Sequence, residues 1–405
     1  MTRAEVVDDL TTRGRGVDPD AAPLVWRAPA IRHAVPGWEW RGRVGRAQAL
    51  VRVPDATQWN GRLVLGATPA LRSAGSLDLL LSDLVLQRGY AVAACDKATP
   101  GSSIQEADPR AMADWDAVHV DLLEAALRLI RDLHGGVPVR TYGAGVSNGG
   151  YVVRRLMERH PTLLDGGVDW EGVLWHPDRP HLLRTLPGVL AAYHRWRTRG
   201  PTRAAHDALA ADMAPFGLDV RWEAAWPRYW AKYWAVTLWV YGRHLDPEFE
   251  PFARPWTDAW RTDPTALARY HAAARSAETA AHIAALANTG RLERPLISVA
   301  GNADSLVPFV HHAEGYATLV GEAGAGAWHR LYQVWGGNHV DGLWDASLAG
   351  QQPVQPYFEA ALLLLEDWVE RGVAPPASGV YRTPAALVPG ADLLSRVPGA
   401  RGEGG

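Results

Sequence analysis

Cysteine occurs once in the 405 residues, at Cys95, which excludes an intrachain disulfide and any metal site built on cysteine pairs. Lysine is almost missing too, with only Lys97 and Lys232, so arginine carries the positive charge. That bias reads as the mark of a GC-rich coding sequence and not of a function. A formal net charge of -3 provides no field to attract nucleic acid or an anionic membrane, so neither is an expected partner. No run approaches the roughly 20 apolar residues of a membrane span. The charged opening MTRAEVVDDLTTRGRGVDPD lacks the apolar core of a secretory signal. A cytoplasmic location is the expectation. The H-E-x-x-H zinc motif and internal repeats are absent as well. His311 and His312 are adjacent, which is not a helical ligand spacing, and read as the start of a helix near the surface. Neither a metal nor an organic cofactor is expected.

What is present is the composition of a globular chain, 47% hydrophobic and 21% charged. The length exceeds one compact core and suggests one large domain with an insertion, or two domains. Buried β runs recur with helices between them. "RAQALVRVP" (46–54), "RLVLGATP" (62–69), "YAVAACD" (90–96), "VPVRTYGAGV" (137–146) and "GGVDWEGVLWH" (166–176) read as strands. "MADWDAVHVDLLEAALRLIRDLHGG" (112–136) is an amphipathic helix stopped by a glycine pair, and "NGGYVVRRLMERHP" (148–161) is another. From about Pro177 to Thr289 the pattern is helical. Strands return at "RPLISVAGNADSLVP" (294–308) and "WHRLYQVWGGNHVDG" (328–342), and "YFEAALLLLEDWVERG" (357–372) is a closing helix. This alternation predicts an α/β fold, a mostly parallel central sheet with helices on both faces.

The segment "YGAGVSNGGY" (142–151) admits two readings. From Gly143 it approaches the dinucleotide loop G-x-G-x-x-G, but the third glycine position is Asn148, and the next strand does not end in the required acid. From Gly145 it is G-x-S-x-G, a strand–turn–helix elbow that lifts Ser147 above the sheet, with small residues on both sides so that strand and helix can close. A serine hydroxyl needs a base, and the base needs an orienting carboxylate. In this arrangement the chain order is serine, acid, histidine, each after a later strand. Asp304 in "SVAGNADSLVP" and His339 in "QVWGGNHVDG" satisfy it, at the sheet edge where open α/β sheets bind ligands. Asp341 is the rival acid but is expected to brace its own loop. Asp165 and Asp169 are read as structural.

Around Ser147, Asp304 and His339 the chain resembles the α/β-hydrolase fold, over roughly 45–176 and 291–372. "WNGRLVL", "RGYAVAACDKATPG", "GVSNGGY", "DGGVDWEG", "GGNHVDG" and "WVERGVAPP" are similar to the bacterial esterase branch with tannase/feruloyl esterases and hydroxybutyrate-oligomer hydrolases. The resemblance implies a catalytic triad of Ser147, His339 and Asp304, and an oxyanion hole of backbone N–H groups. Asn148 is one donor. The other lies after "RLVL", where Gly66-Ala67-Thr68-Pro69 replaces the His-Gly pair often found in this fold. Pro69 has no N–H. Ala67, Thr68 and Ala70 remain, and Thr68 is the working assignment. Lys97 either contacts a substrate carboxylate or pairs with Asp96, the pairing being the simpler reading.

The implied organisation is an N-terminal arm (1–22), a core (23–176 and 291–376), a helical Trp-rich lid after the sixth strand (177–290) and a C-terminal tail (377–405). Eight tryptophans fall between Trp196 and Trp260. Trp222, Trp226, Trp230 and Trp234 are spaced by four and are expected along one helical face, with the helix starting at Pro227. Most should pack the lid, while Trp230 and Trp234 are candidates to line an aromatic substrate pocket. Arg221, Arg228 and Arg243 are expected to be solvated. The expected activity is hydrolysis of a small-molecule carboxylic ester or lactone with a hydrophobic or aromatic group, through an acyl-enzyme on Ser147. Alternatives are acyl transfer or carbon–carbon bond hydrolysis at the same site, or a non-catalytic ligand receptor.

Overall fold

Apolar runs without alternation become the centre of a ten-stranded sheet among the described residues. The computed structural model describes residues 3–25, 27–99, 109–200, 202–249, 265–271, 274–344 and 348–384. The strands are β1 (Glu5–Val7), β2 (Gly37–Val44), β3 (Ala47–Pro54), β4 (Arg62–Ala67), β5 (Ala91–Cys95), β6 (Arg140–Val146), β7 (Gly166–Trp170), β8 (Leu296–Gly301), β9 (His329–Val334) and β10 (Gly379–Tyr381). Their order across the sheet is β1-β2-β3-β5-β4-β6-β7-β8-β9-β10. The first three run antiparallel at one edge, and every neighbouring pair from β5 to β10 is parallel. β5, β7 and β8 are buried along their whole length, as a sheet covered on both faces requires.

The helices that frame the sheet and the site are α1 (Trp115–His134), α2 (Asn148–Arg159), α3 (Leu182–Arg199), α4 (Trp226–Lys232), α5 (Trp234–Leu245) and α6 (Gln355–Arg371). In α1, Trp115, His119, Leu122, Leu123, Ala126, Leu129 and Ile130 are buried at three- and four-residue spacing, and Gly135 ends the helix in the left-handed conformation at φ 71°. Successive residues of β6 show the two sheet faces. Gly143 lies against Val153 of α2, whereas the Tyr142 hydroxyl donates to Glu370 of α6 at 2.7 Å.

Three expectations need correction. The N-terminal segment is not a loose arm. β1 pairs with β2, and the polar residues behind it are satisfied internally: Thr12 donates from its backbone to Asp83 at 2.8 Å, and Asp9 accepts from Thr11 and Val35. Beneath it, Arg52 bridges Glu39 at 2.8 Å and Asp78 at 2.7 Å, all buried. This added strand places the helical insertion after the seventh strand. The tail begins with β10, which pairs in parallel with β9; 385–405 lie outside the described residues.

The tryptophan series is also not one stripe. Trp222 sits in a short turn (Val220–Ala225), Trp226 and Trp230 in α4, and Trp234 opens α5 after a break at Tyr233. Pro227 occupies the first turn of α4, where its missing N–H costs nothing. Trp256 and Trp260 lie outside the described residues. Among the described residues, no helix is long and apolar enough to cross a membrane.

Candidate active site

Ser147 stands between the end of β6 and the start of α2, with φ 58° and ψ -116°. Such a backbone costs about 1–3 kcal/mol and needs surroundings that enforce it. Its N–H donates to the Trp170 carbonyl of β7 at 2.8 Å. The flanking glycines are steric necessities. A Cβ on Gly149 would lie 1.9 Å from the Ala67 carbonyl oxygen, and one on Gly145 would lie 2.4 Å from the Gly149 carbonyl carbon. The G-x-S-x-G spacing therefore lets α2 press onto the ends of β4 and β6 and holds the serine at the bend.

His339 and Asp304 lie in the loops after β9 and β8. These loops are pinned together: Ala303 donates from its backbone to the Gly337 carbonyl at 2.9 Å, and Gly336 to the Asn302 side chain at 2.7 Å. A Cβ on Gly301 would meet the Gly337 carbonyl oxygen at 2.1 Å, so only glycine permits the approach. Asp304 Oδ1 accepts the backbone N–H groups of Leu306 and Val307 at 2.7 and 2.9 Å. Its Oδ2 accepts from His339 Nδ1 at 2.6 Å. With that proton on Nδ1, Nε2 accepts from the Ser147 hydroxyl at 3.0 Å. All three side chains are buried. Asp341 takes no part in this line. It accepts the backbone N–H groups of Val354 and Gln355 at the start of α6, at 2.6 and 2.9 Å, and burial pushes its carboxyl up to about 7.

A family model described as 3HB-oligomer hydrolase matches residues 261–398, a minority of the chain that holds Asp304 and His339 but not Ser147. Feruloyl esterase B from Aspergillus oryzae superposes with a TM-score of 0.57 at 12% identity, covering 93% of this chain and 89% of that one. Tannin acyl hydrolase from Aspergillus niger gives 0.55 at 14% identity, over 92% and 83%. An esterase from Aspergillus oryzae gives 0.53 at 13%, over 92% and 87%. Among curated proteins none matches the sequence significantly. The chain has the α/β-hydrolase fold.

At the site a cavity of about 350 Å³ opens onto Ser147 and His339. Leu24, Leu71, Leu182, Val236, Val240 and Leu343 form much of its wall, with Lys232, Tyr233 and Tyr241 also facing it. Trp230 and Trp234 do not line it as expected: among the described residues its aromatic rings are Tyr233 and Tyr241, and no tryptophan reaches it. The indoles are spent on packing and on the acid loop. Trp234 donates to the Ser305 carbonyl at 2.6 Å and Trp226 to its hydroxyl at 3.0 Å, beside Asp304. Trp230 packs on Tyr193 and His194. Arg221 pairs with Asp219, and Arg228 donates to the Gly342 carbonyl at 3.0 Å.

Lys97 is fully buried and does not pair with Asp96. Its ammonium donates to the Thr68 carbonyl at 2.7 Å and to the Thr68 hydroxyl at 2.5 Å, which removes it from any substrate. Burial lowers it to about 8. Thr68 is enclosed by this contact and by the bond from its hydroxyl to the Cys95 carbonyl at 3.0 Å, and it does not line the cavity. Ala70, two residues on, does line it, with a left-handed φ of 44°. Asn148 also borders the cavity.

Sequence reasoning missed the contacts of Tyr241, whose hydroxyl donates to the Asn148 amide oxygen at 2.6 Å, and of Tyr229, whose hydroxyl donates to Asn338 beside His339. It also missed Glu171, a buried residue at φ 52° whose carboxyl lies against Asp304. Desolvation, then the Asp304 charge, hold this carboxyl well above the usual carboxylate range.

Proposed function

We propose that this α/β-hydrolase is a serine esterase that cleaves a small carboxylic ester or lactone through an acyl-enzyme on Ser147. The observation that carries this reading is the unbroken hydrogen-bonded line from Ser147 Oγ through His339 to Asp304, at 3.0 and 2.6 Å. The Ser147 oxygen attacks the ester carbonyl while His339 Nε2 takes its proton; His339 then returns that proton to the departing alkoxide. Asp304 keeps the histidine in the required tautomer and offsets the imidazolium charge. Water, deprotonated by His339, releases the acid.

The oxyanion forms at the N-terminus of α2, where the backbone N–H of Asn148 is one donor. The second donor in this reading is the backbone N–H of Ala70, which borders the cavity, in place of Thr68. The insertion 177–290 acts as a lid: α3 and α5 supply Leu182, Val236, Val240 and Tyr241 to the cavity. The 3HB-oligomer hydrolase match supports an ester, and the mainly aliphatic wall supports an aliphatic acyl or alcohol group over a planar aromatic one.

A panel of p-nitrophenyl esters of increasing acyl length tests the reading. Turnover is expected for aliphatic acyl groups, with kcat falling at least about a thousandfold in Ser147→Ala. Undiminished turnover in that variant overturns it.

A further inference from the structure

We propose that Glu171 is a positioning residue for the reaction, its carboxyl donating a hydrogen bond to Asp304 and thereby holding the acid that orients His339. The inference rests on the assignment of Ser147, His339 and Asp304 as the reacting line.

Register brings the two carboxyls together. β7 and β8 pair in parallel up to Trp170 and Val299. The next residue, Glu171, donates from its backbone to the Val299 carbonyl at 2.9 Å. Its side chain therefore leaves the end of β7 beside the loop that carries Asp304. The left-handed backbone of Glu171, at φ 52°, is unusual for a residue with a side chain and is enforced by its neighbours. Arg154 pairs with Asp169 at 2.8 Å and also donates to the Gly172 carbonyl at 2.9 Å, while the Gly172 N–H reaches Asp169 at 3.3 Å. The bend is thus clamped on both sides of Glu171.

The donor count decides where the proton resides. Glu171 and Asp304 are 1% and 3% exposed, and two buried carboxyls that act on each other's charge are not both readily ionised. Asp304 accepts from Leu306, Val307 and His339, which together stabilise a full negative charge. Glu171 accepts on Oε1 from the Gly301 N–H alone. Its Oε2 is buried and receives no donor. An oxygen in that state is costly as an acceptor and is satisfied if it carries the proton and donates to Asp304, which has lone pairs to spare. The other groups facing this carboxyl agree. Asp169 is already matched by Arg154, and the Tyr229 phenol, held above its ordinary range by burial and then by Asp304, is neutral. No cation reaches Glu171 among the described residues.

The consequence is mechanical. When His339 becomes a cation, Asp304 must keep both its charge and its orientation. A neutral donor at Glu171 fixes the Asp304 carboxylate without neutralising it. Ionisation of Glu171 at high pH removes that donor and puts a second negative charge against Asp304, so activity declines on the alkaline side.

Three measurements test this. Glu171→Leu, which removes the donor, is expected to lower kcat by roughly ten- to a hundredfold with KM little changed. Glu171→Gln, which keeps a donor for Asp304 and an acceptor for Gly301, is expected to restore most of that loss and to abolish the alkaline decline. Because Glu171→Leu can fail to fold, infrared spectra of ¹³C-glutamate-labelled protein provide an activity-independent readout: the wild type at neutral pH should show a protonated carboxyl band that Glu171→Gln lacks. Wild-type kcat in a folded Glu171→Leu, identical alkaline limbs in wild type and Glu171→Gln, or no such band would overturn the proposal. Failure of the triad reading looks different: Ser147→Ala would stay active whatever the carboxyl band shows.

Discussion

The hydroxyl of Tyr241, on α5, donates to the side-chain amide oxygen of Asn148, the first residue of α2, at 2.6 Å. The other end of that amide points at the Ala70 carbonyl, 3.5 Å away. One side chain therefore links the helical insertion to both backbone segments that border the serine. Tyr241→Phe keeps the ring against Trp175 and removes only this donor. A net hydrogen bond is worth about 1 kcal/mol, so kcat is expected to fall about three- to tenfold with KM nearly constant. Steady-state kinetics check it; a rise in KM alone would assign Tyr241 to substrate binding.

The cavity wall makes a second prediction. Val240→Phe places a larger side chain in the aliphatic space beside Ser147. Acetyl esters should be hydrolysed nearly as before, while kcat/KM for longer aliphatic acyl esters should fall by at least about tenfold. A uniform loss across the panel would place the acyl group elsewhere.

The core strands and the positions of Ser147, Asp304 and His339 are legible in the sequence. Ser147 and Asp304 follow buried strands, His339 follows the half-buried β9, and the flanking glycines mark where backbones must touch. The contacts of the insertion are not legible. Four-residue spacing at Trp222, Trp226, Trp230 and Trp234 says nothing of the break at Tyr233, nor that two of the indoles bind Ser305. Lys97 reads as a partner of the adjacent Asp96 because sequence shows neighbours along the chain, whereas Thr68 reaches it from the adjacent strand. Glu171 is hidden for the same reason: its role depends on the register of β7 with β8. The N-terminal segment looks irregular because its anchors, Asp9 and Thr12, are polar and bond to partners far along the chain.

A stability prediction follows from Glu359 on α6, which accepts from Gln355 at 3.2 Å and borders a small recess that Val64, Leu84 and Val85 line together with Arg88 and Glu366. Burial raises its carboxyl from 4.5 to about 7. Between those values the folded chain holds a proton that the unfolded chain has lost, so stability falls as pH rises from 4.5 through 7. Glu359→Gln removes this dependence. Denaturant unfolding should show the variant more stable by about 2–3 kcal/mol at pH 8, with the difference vanishing below pH 4.5. Equal stabilities at pH 8 would mean that Glu359 is solvated.

Covalent capture is the most direct test of the reacting serine. Treated with a fluorophosphonate and digested, the protein should yield one modified peptide by mass spectrometry, carrying the adduct on Ser147. Labelling should disappear in Ser147→Ala and be strongly slowed in His339→Ala. An adduct at another residue, or an unlabelled wild type that still hydrolyses esters, would contradict the assignment.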